Sequence, residues 1–118
     1  MRLQELKCDF YTGVPDSCLK DFLKELEQSG LPNITATHES QAIAIAFGAA
    51  IAGKKPCVYM QNSGLANAIN PMVSLCKPFG VEPLLLIGHR EGLPQHKIMG
   101  EIEIQLLELC QWKNYIIV

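Results

Sequence analysis

Val58-Tyr59-Met60-Gln61-Asn62-Ser63-Gly64-Leu65-Ala66-Asn67-Ala68-Ile69-Asn70-Pro71 changes character halfway along. A hydrophobic run stops at small and amide side chains, and a new apolar-periodic segment starts at Leu65. This is the pattern of a strand that hands the chain through a polar, glycine-containing turn to a helix. In an open α/β sheet such turns lie at the carboxyl ends of the strands, where ligands bind. Upstream, Thr37-His38-Glu39-Ser40 opens another helix with a carboxylate in its first turn. A glutamate heading a helix with no other charge, beside an amide-rich turn, points to cofactor chemistry as well as to packing.

The flanking segments extend the same alternation. Phe10-Tyr11-Thr12 reads as a short strand. Gly13-Val14-Pro15-Asp16-Ser17 is a turn into a helix, where Asp16 or Ser17 can accept from the orphan amides of the first turn. Leu19, Phe22, Leu23 and Leu26 share one face of that helix, and Gly30 stands just past its end as a C-cap. Asn33–Thr37 reads as the second strand. The helix expected over Glu39–Ala52 is almost all Ala, Ile, Phe and Gly, with no charge after Glu39. A helix apolar on all sides is expected to be buried on all sides, and its small residues allow close approach of a sheet or a neighbouring subunit.

Cys57–Met60 is the third strand, and Leu65–Leu75 a second apolar helix. Pro83–Gly88 is a fourth strand whose unbroken apolar run suits a central parallel position. Residues 88–94 read as a loop that Gln95 and His96 follow, Ile102–Leu109 as a helix and Tyr115–Val118 as a last short strand, with an edge left for other material to cover. Strands alternating with helices define an α/β domain, a three-layer doubly wound, mostly parallel sheet.

Composition removes several function classes. A chain of 118 residues is one domain at most. A net charge of −2 without a basic patch gives no case for nucleic acid as a partner. The five cysteines are scattered and never in CxxC spacing, which fits reduced, mostly buried thiols and no metal site or disulfide framework. No apolar signal region opens the sequence, and no apolar run approaches the roughly 18 residues that span a bilayer. A cytoplasmic protein with no membrane partner is expected. Walker A, GxGxxG and GxSxG patterns are absent, which weakens ATPase, dinucleotide-binding and esterase readings.

Each candidate residue has a plain alternative. Glu39 is either a first-turn acid favoured by the helix dipole or a carboxyl in a low-dielectric site, able to share a proton with a heterocyclic nitrogen. Asp16 and Ser17 cap a helix, serve a site, or do both. Gln95 and His96 follow a Gly/Pro-rich loop of the kind that carries function, and His96 is either solvated or a general acid. Arg90 and Lys97 either meet an anionic substrate or sit in solvent.

Thr12-Gly13-Val14-Pro15-Asp16-Ser17, His38-Glu39-Ser40-Gln41-Ala42, the Tyr59–Pro71 block and Pro94-Gln95-His96 occur in that order. Together they resemble the pyrimidine-binding domain of thiamine-diphosphate-dependent 2-oxo acid decarboxylases. The nearest branch holds phosphonopyruvate decarboxylase and the α subunit of sulfopyruvate decarboxylase, and the likeness runs over residues 9–118.

The resemblance implies that residues 1–118 are a single pyrimidine-binding domain and that thiamine diphosphate is the cofactor. It implies that Glu39 bonds the pyrimidine N1′ and favours the imino tautomer that deprotonates the thiazolium. Gln61, Asn62, Ser63, Gly64 and Asn67 would lie along the cofactor. Asp16 would face the reacting centre from a neighbouring subunit, and His96 would handle protons or the substrate's acid group. Ser17, Gln95 and Arg90 would join Asp16 and His96 in holding a 2-oxo acid. The implied reaction releases CO₂ from phosphonopyruvate or sulfopyruvate and leaves an aldehyde.

In this family the diphosphate and Mg²⁺ are held through a Gly-Asp-Gly…Asn type motif, which this sequence lacks. Mg²⁺ is therefore expected on a β-type partner subunit or domain, in a homo- or hetero-oligomer, with no metal ligand from this chain. The helix headed by Glu39 would serve the interface. Two departures from the branch stand out. His89 occupies a place where a Trp is expected, and the sequence stops before the family's usual last helix and strand. The rival reading is a non-catalytic, shortened binding or scaffold module of the same fold, or a fragment of a larger decarboxylase.

Overall fold

The computed structural model describes residues 2–118. Among them, five strands form one sheet: β1 (Phe10–Gly13), β2 (Asn33–Thr35), β3 (Pro56–Gln61), β4 (Leu84–Gly88) and β5 (Tyr115–Ile117). The order is β2-β1-β3-β4-β5 and every pairing is parallel. The sheet is therefore wholly parallel, where the sequence supported only a mostly parallel one. The helices are α1 (Lys20–Ser29), α2 (Glu39–Ile51), α3 (Leu65–Pro71) and α4 (Pro94–Leu109).

The layering follows from the strands. In β3, Cys57 and Tyr59 point to one face while Val58 and Met60 point to the other, the two-residue alternation of a pleated strand. Both faces are apolar because parallel strands are covered on both sides. On one face Leu19 and Leu26, with Leu3 and Leu6 from a short N-terminal turn, cover Tyr11, Tyr59 and Leu86. On the other, α2, α3 and α4 contribute Ala42, Ile43, Ala46, Leu65, Ala68, Met72 and Leu107 against Val58, Met60, Leu85 and Ile87. The β1-to-β2 connection runs one way along the sheet and the next three run back. Connections of a single hand then place α1 on one face and the rest opposite. The strand order reverses between β1 and β3, so a crevice opens at their carboxyl ends.

Three sequence expectations need correction. First, α2 is not buried all round. Ala42, Ile43 and Ala46 are enclosed, but Ala44 and Gly48 are exposed and Ile51 is 62% exposed. A flat sheet and one neighbouring helix can cover only one side of a cylinder, so an all-apolar helix keeps an uncovered side. Second, the helix expected over 65–75 is α-helical only to Pro71. It continues as a π turn over Met72–Cys76 and a 3₁₀ turn over Lys77–Phe79. Pro71 has no amide hydrogen to return to the preceding turn, and the ladder is re-formed with wider spacing. Third, α4 begins at Pro94 instead of near Ile102, so Gln95 and His96 lie in a helical first turn and not in a loop. Proline suits that first position, where the missing N–H would have no helical partner.

Smaller differences concern strand ends, where β2 and β5 are shorter than expected. Of the thiols, Cys57, Cys76 and Cys110 are buried, Cys8 is half-buried and Cys18 is exposed. No helix among the described residues is long and apolar enough to cross a membrane.

Candidate active site

The head of α2 is fixed before Glu39 is placed. His38 is the N-cap, with extended backbone, and its Nδ1 accepts from the Ser40 amide at 3.1 Å. The Gln41 side chain reaches back, its Oε1 accepting from the Thr37 amide at 2.8 Å and the Thr37 hydroxyl at 3.0 Å. These bonds satisfy the donors around the helix start and set the direction of the first turn.

Glu39 then projects across the turn that follows β3. Its Oε1 accepts from Asn67 Nδ2 at 3.1 Å. Gly64 makes this approach possible. A Cβ there would lie 2.5 Å from Glu39 Oε2 and 2.6 Å from its Cγ. Because Gly64 has ordinary helical backbone angles (φ −71°, ψ −18°), space and not conformation demands glycine. Glu39 is half-buried in this chain. The outer side of the α2 head is uncovered in this chain by itself.

The residues after β3 reach the other loops. Gln61 Nε2 is 3.2 Å from His96 Nδ1. The Gln61 amide and the His96 ring are thus within hydrogen-bond reach of each other. Asn62 is fully buried, and its Nδ2 donates to the Arg90 carbonyl at 2.9 Å. Its Oδ1 is buried without a partner among the described residues. Ser63 is exposed at the crest of the turn.

Asp16 ties the β1 turn to the β4 loop. Its Oδ2 accepts from the Cys18 amide at 3.0 Å and from Arg90 Nε and Nη2, both at 3.1 Å. Arg90 Nη2 also donates to Ser17 Oγ. Partial burial works to raise the Asp16 carboxyl, but the Cys18 hydrogen bonds and the Arg90 guanidinium outweigh it and hold the group below its usual range. Asp16 thus caps the turn that leads into α1 and holds the β4 loop at once. Gly88 admits this arrangement, since a Cβ there would strike Cys18 Sγ.

The structure brings most of the expected set into three linked groups along the carboxyl edge of the sheet. These are Glu39 with Asn67 and Gly64, Gln61 with His96, and Asn62 with Arg90, Asp16 and Ser17. Gln95 and Lys97 are exposed on the first turn of α4. A cavity of about 440 Å³ bounded by Lys7, Lys54 and Lys55 lies at the opposite, amino edge.

Sequence reasoning missed two contributors. His38 was read as part of a motif but not as the cap. Glu103 was not singled out, yet it is 4% exposed and pairs with His89 Nδ1. Its signal was a lone acid inside Ile102-Glu103-Ile104-Gln105-Leu106-Leu107, on the side of the helix that Leu107 buries.

The donor set fits an aminopyrimidine. A carboxyl held over a glycine cradle can meet a ring nitrogen, and the amides beside it supply donors and acceptors. Among the described residues no cluster of three or more His, Cys, Asp or Glu could hold a metal ion.

Fold and site together define a cofactor-binding α/β domain with a carboxylate at its switch point. The profile described as thiamine pyrophosphate enzyme, N-terminal TPP binding domain, matches residues 1–105. The chain belongs to this family. Within the family it is 41% identical to sulfopyruvate decarboxylase subunit alpha of Methanocaldococcus jannaschii, covering 96% of this chain and 70% of that protein. It is 36% identical to phosphonopyruvate decarboxylase of Streptomyces viridochromogenes, covering 83% of this chain and 26% of that one. The crystal structure of benzoylformate decarboxylase from Polynucleobacter necessarius superposes with a TM-score of 0.61 at 26% identity, over 86% of this chain and 20% of that chain.

Proposed function

We propose that this chain is the α-type, pyrimidine-binding module of a cytoplasmic decarboxylase that uses thiamine diphosphate to release CO₂ from sulfopyruvate or phosphonopyruvate. The observation that carries the reading is the Glu39 carboxylate held across Gly64 and anchored by Asn67. Its support is the likeness to proteins named as α subunits of sulfopyruvate decarboxylase and as phosphonopyruvate decarboxylases.

Bound thiamine diphosphate supplies the electron sink that a 2-oxo acid needs to lose CO₂. The protein residues do the rest. Glu39 holds a proton against the pyrimidine N1′. Asn67 fixes the orientation of that carboxyl, and Gly64 leaves it room. Gln61 orients the His96 ring, the group placed to move a proton at a departing oxygen. Asp16 stays ionised at neutral pH and presents a fixed negative charge toward a neighbouring subunit. Ser17 and Arg90 brace it, Gln95 and Ser63 complete the substrate and cofactor walls, and the buried Asn62 backs them by holding the Arg90 carbonyl. A separate β-type chain or domain holds the diphosphate and Mg²⁺.

The test is reconstitution. The purified chain, a diphosphate-binding partner, thiamine diphosphate and Mg²⁺ are combined with sulfopyruvate or phosphonopyruvate, and CO₂ is measured. CO₂ release that requires both chains is the expected result. No release with either substrate, or release by the partner alone, contradicts the reading and favours the scaffold alternative.

A further inference from the structure

Resting on the function proposed above, we propose that Glu103 and His89 are a positioning pair that holds the β4–α4 loop so that Arg90 stays clamped on Asp16 and Ser17 at the substrate side of the site. The loop is only five residues long, from the end of β4 at Gly88 to the start of α4 at Pro94, and it carries Arg90 at its second position.

Three grips act on it. Asn62 Nδ2 takes the Arg90 carbonyl at 2.9 Å. Gly100 of α4 lets Glu91 pack directly on the helix, since a Cβ at Gly100 would run into Glu91 Cβ and lie 3.0 Å from the Arg90 carbonyl oxygen. The third grip is ionic. Glu103 projects from α4 into the core, pairs with His89 Nδ1, and keeps its Oε2 buried with no partner among the described residues. Glu91 Oε1 stands 3.4 Å from the other ring nitrogen, and the His89 amide donates to Val118 O at 2.9 Å.

A buried acid held by an imidazole is held more firmly while the ring carries charge, because charge-assisted hydrogen bonds are about twice as strong as neutral ones. The imidazolium of His89 is therefore part of the loop's attachment. The Glu103 hydrogen bond, aided by Glu91 and opposed by partial desolvation, raises the His89 ring above its ordinary value. A raised folded value fixes the sign. The charge-assisted part of the pairing is fully present below the ordinary imidazole value of about 6.5 and is lost as pH rises through the raised folded value. Once His89 is neutral, its contact with Glu103 is reduced to an uncharged hydrogen bond and the loop loosens. Arg90 then loses its fixed angle to Asp16, although its own charge is unchanged. Glu103 touches no reacting group, so its effect belongs to binding and not to the chemical step.

The experiment uses the reconstituted two-chain enzyme, with Glu103→Gln and His89→Asn as independent variants. Wild-type KM for the 2-oxo acid should rise on the alkaline side of neutrality with kcat nearly flat. Glu103→Gln should raise KM about tenfold at neutral pH, change kcat by less than about twofold, and remove the alkaline rise. In parallel, NMR of the full chain follows the His89 ring and the Arg90 Nε–H. Glu103→Gln should lower the His89 titration toward its ordinary value and expose the Arg90 Nε–H to faster exchange. Unchanged His89 titration in Glu103→Gln, or unchanged Arg90 exchange in both variants, overturns the proposal. The NMR arm needs no turnover, so it decides the positioning role even if the substrate assignment fails.

Discussion

Among single residues, one carboxylate and the missing side chain beneath it decide the shape of the site. Glu39 was legible in the sequence because a single charge heads an otherwise apolar helix. Gly64 was legible only as part of a turn. That it clears space for Glu39 follows from a contact between residues 25 positions apart, which no local pattern encodes. Its helical backbone angles make Gly64→Ala a clean test, since alanine suffers no conformational strain there. The added methyl should push the carboxylate off the turn, lowering cofactor-dependent CO₂ release by about tenfold or more while circular dichroism stays as in wild type. Wild-type rates in Gly64→Ala would show that the cradle has no part in the chemistry. Glu103 escaped the sequence reading for a similar reason, because its partner His89 sits 14 residues away on a loop.

At the element scale, the turns after β1 and β4 are joined by one ionic contact between Asp16 and Arg90. Both turns could be seen in the sequence, but their adjacency depends on a sheet order that places β3 between the two strands. Because Asp16 lies below the usual carboxylate range, its contribution to stability is present above its unfolded value of about 3.9 and is lost as pH falls through the lower folded value. Asparagine is as good a helix cap as aspartate, so Asp16→Asn removes mainly the charge. Wild type should be the more stable protein in urea melts at pH 7, and the gap should close below about pH 4. A gap that persists unchanged in acid would mean that the ion pair is not its source. The π turn after Pro71 and the early start of α4 show how proline misleads in opposite ways. Inside a helix it forces a local rearrangement, and at the first position it marks a start that the later apolar periodicity hides.

At the scale of the whole molecule, alternation of strands and helices was enough to predict a parallel, layered sheet. It was not enough to give the strand order, because the handedness rule constrains each crossover without saying which strands become neighbours. Composition carried a different message. The absence of charge after Glu39 predicts a buried α2, yet in this chain its outer side is exposed, with Ile51 at 62% and nearby Phe79 at 67%. Contiguous apolar surface of this kind marks protein contact. Under the proposed function, the partner chain would dock on this side of α2. Ile51→Glu should leave the chain folded and abolish its comigration with the diphosphate-binding partner on size exclusion. Comigration at wild-type strength would move the interface elsewhere.

The central claim is that Glu39 governs a proton on the bound cofactor. It is tested most directly by the rate of CO₂ release from the reconstituted enzyme carrying Glu39→Gln, at saturating thiamine diphosphate and 2-oxo acid. Glutamine keeps the shape and the hydrogen bond to Asn67 but cannot exchange the proton. General acid–base contributions amount to about a hundredfold or more, and each 1.36 kcal/mol of barrier is about tenfold in rate. A fall of about a hundredfold or more, with the fold and partner binding intact, is the predicted result. A rate equal to wild type would contradict the account.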